Sequence, residues 1–254
     1  MTYFGFLALF VILPTLILIV LLWRKLQRNE TIMLAVLVVI AVAYTTPWDN
    51  YLVATRVWWY DPALVTGITI WWVPIEEYSF FVLQTVMSGL WLLFLKRKMS
   101  QGLASDNSKI RLFSVGVVGL LWLGMVYMLI SGWRPGTYLA LELVWALPPI
   151  LLQLAFGADI LWHHRRLVGL AILSTTIYLS AADWIAIGSG TWTIDPEQSL
   201  NIFLGGHLPV EEAVFFLLTN TLVVFGLALS LAQESRARLP KWFPRRWVAV
   251  AEHL

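Results

Sequence analysis

The sequence predicts an all-α integral membrane protein: seven transmembrane helices, arranged as two parallel three-helix repeats joined by a linking helix. Three observations predict it. Of the 254 residues, 59% are hydrophobic and only 13% charged, with a mean hydropathy of +0.77, whereas soluble domains carry about 25% charged residues. Seven apolar runs of roughly 17–24 residues are each long enough to cross a hydrocarbon core of about 30 Å. One stretch also occurs twice, Pro74-Ile75-Glu76-Glu77-Tyr78-Ser79-Phe80-Phe81 returning as Pro209-Val210-Glu211-Glu212-Ala213-Val214-Phe215-Phe216.

Each element follows from composition. The run 3–23 has neither a basic n-region nor a small-residue cleavage site, so it reads as a retained helix rather than a signal peptide. The run 31–47 ends at Pro47-Trp48-Asp49, and 73–95 opens on the first Glu pair. The runs 112–131, 138–160 and 168–187 follow, and 208–232 opens on the second Glu pair. Open sheet edges cannot sit in lipid, so the runs are expected to be helices.

The duplication reaches beyond the Glu pairs. Asp49 returns as Asp183 and Asp61-Pro62 as Asp195-Pro196, each 134 residues on, whereas Pro74 returns as Pro209, 135 on. One extra residue in the second copy accounts for the difference. The chain therefore divides into a first repeat (1–97), a linking helix (98–135), a second repeat (136–232) and a basic tail (233–254). Three spans reverse the side of the chain and the fourth restores it. The repeats are then parallel, related by a pseudo-two-fold axis along the membrane normal.

Charge sets the orientation. Of the 17 Lys and Arg, all but Arg56 and Arg134 fall on the side that follows the odd-numbered spans. The positive-inside rule puts that side, and the C-terminus, in the cytoplasm and the N-terminus outside the cell membrane. The tail adds Trp242, Phe243 and Trp247 to its basic residues and reads as an interfacial anchor on anionic lipid. Asp49, Asp61, Glu76, Glu77, Glu142, Asp183, Asp195, Glu197, Glu211 and Glu212 gather on the opposite side, where basic partners are scarce.

The Glu pairs fall in the first turn of a helix. A single such pair reads simply as an answer to the helix dipole. Two copies with matching upstream Asp residues point further. Glu76 and Phe80, Glu77 and Phe81, Glu211 and Phe215, and Glu212 and Phe216 are i, i+4 pairs, so each carboxyl shares a face with a ring. An acid beside aromatic faces suits carbocation chemistry: a carboxylic acid protonates an alkene, the ring quadrupole stabilises the cation, and a neighbouring carboxylate takes a proton back. Two Glu in one turn can differ in protonation, one serving as acid and one as base.

Fifteen Trp are present, and an interfacial belt accounts for many. Trp59 and Trp192 are the substrate-groove candidates, since each closely precedes a paired Asp-Pro. Asp49 and Asp183 are candidate carboxylates at the ends of the second helix of each repeat. Asn50, Asn220 and His207 are weaker polar candidates, because none recurs in the other copy.

Other classes find no support. Cysteine is absent, which removes disulfides, thiolate metal sites and cysteine nucleophiles. No metal site or cofactor is expected: there is no GxGxxG after a strand, no Walker motif and no HExxH. Every Lys (25, 96, 98, 109, 241) lies outside the spans, which excludes a retinal-type Schiff base. An aspartate-rich diphosphate motif is also missing.

The doubled Pro-x-Glu-Glu-x-x-Phe-Phe, together with Pro47-Trp48-Asp49-Asn50-Tyr51, resembles the membrane-bound lycopene cyclases of bacteria, archaea and the cyclase part of fungal bifunctional enzymes. The resemblance covers roughly residues 1–232. It implies a non-redox isomerase that turns the ψ end groups of lycopene into β-ionone rings, giving γ-carotene and then β-carotene. It also implies roles for Glu76 and Glu211 as the more constant acids, with Glu77 and Glu212 beside them, and for Phe80, Phe81, Phe215 and Phe216 as the aromatic pairs. The expected partners are lycopene or a related acyclic carotenoid, the lipid bilayer and other carotenoid-pathway enzymes; nucleic acid is not among them. A carotenoid hydratase, a C50 or ε-type cyclase and, from a different class, a proton-coupled transporter remain as alternatives.

Overall fold

A computed structural model describes residues 1–99, 102 and 106–238. Among the described residues, seven helices are long and apolar enough to cross a membrane. They are α1 (Tyr3–Leu22), α2 (Arg28–Ala54), α3 (Ile75–Lys96), α4 (Ser108–Ile130), α5 (Thr137–His163), α6 (Arg165–Gly188) and α7 (Val210–Leu231). A short α8 (Gln233–Arg238) follows. The tail residues Lys241, Trp242, Phe243, Arg245, Arg246 and Trp247 lie outside the described residues.

The spans differ from expectation in instructive ways. α2 does not stop at Pro47 but runs on to Ala54, so Asp49 and Asn50 are buried inside the helix rather than at its end. Pro74 and Pro209 do not enter the first helical turn: each is the extended N-cap residue before it. Lys96 is drawn into the last turn of α3, where a cation meets the negative end of the helix dipole.

The chain is also not purely helical. β1 (Trp58–Tyr60) pairs antiparallel with β4 (Trp192–Ile194) in the register Trp58 to Ile194, Trp59 to Thr193 and Tyr60 to Trp192. Two small hairpins, β2 (Thr69–Ile70) with β3 (Val73–Pro74) and β5 (Phe203–Leu204) with β6 (Leu208–Pro209), lead into α3 and α7. These ribbons connect spans, so the rule against sheet edges in lipid does not bear on them. The turn between β2 and β3 holds Trp71 and Trp72, and that between β5 and β6 holds Gly205, Gly206 and His207. The extra residue of the second copy sits in that turn. Positive φ at Trp71 (59°), Gly205 (58°) and Gly206 (86°) closes the two hairpins, and glycine accepts this conformation without strain.

α3 and α7, which carry the Glu pairs, are the most enclosed spans, while α4 buries no residue and packs on α5. Small residues bring α2 close to both central helices. A Cβ on Gly89 would lie 2.5 Å from Leu34 Cδ1, and one on Gly226 would lie 2.9 Å from Leu37 Cδ2.

Prolines create the other inter-helix ties. A helical proline frees the carbonyl four residues earlier. Pro14 frees that of Phe10, which accepts from the Tyr178 hydroxyl at 3.0 Å; Pro149 frees that of Trp145, which accepts from Tyr44 at 2.9 Å. Pro148 frees that of Val144, which accepts from Trp122 Nε1 at 3.2 Å. The π-helical turn Leu7–Ile12 precedes Pro14 and absorbs the same disruption in α1.

Candidate functional site

Four of the acids named from sequence reach one cavity. Glu77, Glu212, Asp49 and Asp183 line a narrow space of about 40 Å³ near one end of the bundle, between α1, α2, α3, α5, α6, α7 and the β1–β4 ribbon. Phe80, Phe81, Phe215, Phe216 and Trp192 border it as well. All of these acids are at least nine-tenths buried.

The two Glu of each pair diverge. They are consecutive residues on a helix, so their side chains leave it about 100° apart. Glu77 and Glu212 turn into the cavity. Glu76 and Glu211 turn back onto the preceding loops, where Glu76 Oε1 accepts from the Thr66 N–H and Glu211 Oε1 from the Leu200 N–H, each at 2.6 Å. Both are fully buried and neither lines the cavity.

Tyrosines hold the inward pair. Glu77 Oε2 accepts from Tyr3 at 2.5 Å and from Tyr60 at 2.9 Å, while Glu212 Oε1 accepts from Tyr138 at 2.7 Å. Burial first, and then the charge of the adjacent Glu77, raise the Tyr60 phenol well above its ordinary value of 10.0. That phenol therefore stays a hydrogen-bond donor. The carboxyl oxygens of Asp49 and Asp183 find no partner of hydrogen-bond geometry among the described residues, although Asp183 lies close to Trp192 and Glu212. Glu142, one helical turn after Tyr138, is likewise fully buried close to the second Glu pair, where the first half has Leu7.

Rings close the walls. Trp48 stacks on Trp145 at 4.3 Å and on Phe215 at 6.0 Å. Trp192 meets Tyr3 at 5.0 Å and Phe6 at 5.3 Å, and Trp58 meets Tyr138 at 5.2 Å. The ribbon thus carries Trp192 to the tyrosine of the first half and Trp58 to that of the second. Such a pocket offers carboxyls that exchange protons and π faces that stabilise a cation without trapping it.

Trp59 is not brought in. Side chains alternate along a strand, so Trp58 and Tyr60 face the cavity while Trp59 faces away and lies under Arg56. The residue 134 before Trp192 is Trp58, and matching the repeat register would have selected it. An offset of 135, the one that relates Pro74 to Pro209, pairs Tyr3 with Tyr138, and neither tyrosine was among the residues expected at the site. Phe6, Trp48 and Tyr60 lack such a repeated signal; the residues 134 or 135 later are Leu141, Ala182 and Ile194.

The weaker polar candidates lie elsewhere. Asn50 bonds the Tyr78 hydroxyl and the Trp72 N–H and so braces the first hairpin. His207 is exposed and packs against Trp184. Asn220 lies deeper, bonding Gln84, Ser88 and Thr176. Among the described residues no cluster of His, Asp or Glu is arranged to hold a metal ion.

The sequence profile of the lycopene cyclases matches residues 1–95 and 135–230, taking in both Glu pairs and leaving out α4. A lycopene beta-cyclase of Halobacterium salinarum is 37% identical over 203 residues, covering 80% of this chain and 84% of that protein. A bifunctional lycopene cyclase/phytoene synthase of Gibberella fujikuroi is 34% identical over 235 residues, 86% of this chain and 38% of that protein. One of Colletotrichum graminicola is 37% identical over 235 residues, 89% of this chain and 40% of that protein. No solved structure matches the chain. With both Glu-bearing segments inside the matched profile, the chain belongs to the lycopene cyclase family.

Proposed function

We propose that the protein is a lycopene β-cyclase, and that Glu77 and Glu212, with Asp49 and Asp183, carry the proton transfers. The observation that supports this reading is the meeting of four carboxyls in one ring-lined cavity in a chain of this family. A proton added at the terminal double bond of a ψ end group gives a tertiary cation. The next alkene attacks it, closing a six-membered ring and moving the charge onto the ring. Loss of a proton beside that charge forms the ring double bond. One proton enters and one leaves, so the step is an isomerisation that calls for no redox cofactor. Phe80, Phe81, Phe215, Phe216 and Trp192 supply π faces to the cation and keep water from capturing it. Glu76 and Glu211 then act as positioning residues, holding the loops that lead into α3 and α7.

The same proposal includes the architecture: repeats 1–97 and 136–232 in parallel, joined through 98–135 and followed by a basic cytoplasmic tail (233–254), with the N-terminus outside. Matched hydrogen bonds support the repeats. Tyr3 N–H reaches Leu64 O at 2.8 Å and Tyr138 N–H reaches Gln198 O at 2.9 Å; Asp61 N–H reaches Thr191 O at 3.2 Å and Asp195 N–H reaches Val57 O at 2.8 Å. The bilayer and other enzymes of carotenoid synthesis are the partners this reading expects.

Pigment analysis of a lycopene-accumulating bacterium expressing the chain tests the function. The expected result is a yellow bicyclic product of unchanged mass that co-elutes with β-carotene. A gain of one water would make it a hydratase. Unchanged lycopene, with proton flux in liposomes, would make it a transporter.

A further inference from the structure

Two lateral grooves flank the carboxylate cavity. The first, of about 170 Å³, lies between α2, α3, α5 and α7, and the second, of about 380 Å³, between α1, α3 and α6. They occupy corresponding places in the two halves. Tyr44 and Pro149 border the first; Tyr178 and Pro14, their counterparts in the other copy, border the second. Yet only the first shares walls with the cavity, through Phe80, Phe81 and Phe215. None of the residues lining the second borders it.

One hydrogen-bonded knot breaks the symmetry. On the second side, Asn220 Oδ1 accepts from Gln84 Nε2 at 2.9 Å and from Ser88 Oγ at 2.7 Å, and its amide donates to Thr176 Oγ1 at 3.3 Å. These bonds tie α3, α6 and α7 together; Ser88 and Thr176 adjoin Met87 and Thr175 of the second groove, Asn220 lies one helical turn after Phe216 of the cavity, and Gln84 also lines the first groove. Thr85 is the counterpart of Asn220, and it lines the first groove instead. Its shorter side chain cannot span three helices.

We propose that the first groove seats the polyene chain of the substrate and is its way in from the lipid, and that Asn220 closes the second. This inference rests on the cyclase reading. A long apolar substrate dissolved in the bilayer reaches a buried acid only sideways, between helices. Half-buried Ala41 and the exposed ring of Tyr44 place the first groove at the helix surface. A single open groove presents one end group at a time. The second ring then requires release and re-entry of the monocyclic intermediate.

The test compares Ala41→Phe, which fills the first groove, with Ile17→Phe, which adds the same ring to the lining of the second. Both are expressed as full chains in the lycopene-accumulating host, with membrane content measured. Ala41→Phe is expected to lower product at least 10-fold and Ile17→Phe less than twofold, and the wild type is expected to release monocyclic product before bicyclic. Equal effects of the two substitutions, or full activity of Ala41→Phe, would overturn the proposal. Should the wild type form no ring, the cyclase reading fails, and lycopene retained by each purified protein decides the groove. Selective loss of retention in Ala41→Phe then upholds it, and equal retention overturns it.

Discussion

The Tyr3 hydroxyl lies 2.5 Å from Glu77 Oε2, across 74 positions of sequence; Tyr138 and Glu212, separated by the same 74 positions, meet at 2.7 Å. Each bond joins the opening helix of one half to its Glu-bearing helix. The carboxyls are thus fixed by donors that cannot act as competing bases.

The two Glu of each pair are expected to separate on substitution. Glu77→Gln and Glu212→Gln each remove a group able to exchange a proton at the cavity, and cyclisation is expected to fall by at least about 100-fold. Glu76→Gln and Glu211→Gln keep an oxygen that accepts from the loop N–H, and are expected to retain most activity with a lower thermal midpoint. Product formed per folded protein checks this. The opposite pattern would return the chemistry to Glu76 and Glu211, as the family resemblance implies.

Tyr3→Phe and Tyr138→Phe test the clamp. A hydrogen bond contributes about 0.5–1.5 kcal/mol net. A loss of about 10-fold in kcat, equivalent to about 1.4 kcal/mol, with little change in KM is the expected outcome. Steady-state kinetics in detergent or nanodiscs measure it, and an unchanged kcat would reduce the tyrosines to packing.

Stability is expected to fall at high pH through Tyr60. Its phenol is raised in the folded protein above the value of 10.0 that it has when exposed. Above about pH 10 the unfolded chain loses this proton while the folded one keeps it, so stability declines as pH rises. Thermal melts between pH 8 and 11 are expected to show the decline, and Tyr60→Phe to shallow it.

The proline-freed carbonyls give a smaller effect. Tyr44→Phe and Tyr178→Phe each remove one inter-helix bond, and such bonds average about 0.6 kcal/mol within membranes. A small loss of stability in each is expected by denaturant titration. A loss above about 3 kcal/mol would point to groove collapse rather than to one missing bond.

At the other end of the bundle, Asp159 accepts from Arg238 at 2.6 Å, Arg111 at 2.7 Å and the Asn107 N–H at 2.8 Å, with its side chain 1% exposed. Arg238→Ala leaves that carboxylate short of a partner and is expected to destabilise the fold by about 3 kcal/mol. Thermal unfolding measures it, and Arg238→Lys is expected to recover part of the loss.

The sequence by itself determined the class, the seven apolar spans and the set of candidate acids. Composition and run length bear directly on whether backbone can enter lipid, and a repeat is visible by alignment of the chain with itself. It also marked Phe80, Phe81, Phe215 and Phe216, since i, i+4 spacing puts a ring on the face of each Glu. Only the tertiary structure decided which Glu of each pair meets the cavity, because neighbours on a helix diverge by about 100° and either face could have turned inward. The repeat offset of 134 already pairs Trp58 with Trp192, whereas the pairing of Trp58 with Ile194 and of Tyr60 with Trp192, between strands more than a hundred residues apart, is a tertiary feature. Tertiary structure alone bonded Asn220 to Gln84, Ser88 and Thr176 and set Thr85 in the wall of the first groove, because a side chain's reach to a second and third helix is a property of packing, not of local sequence.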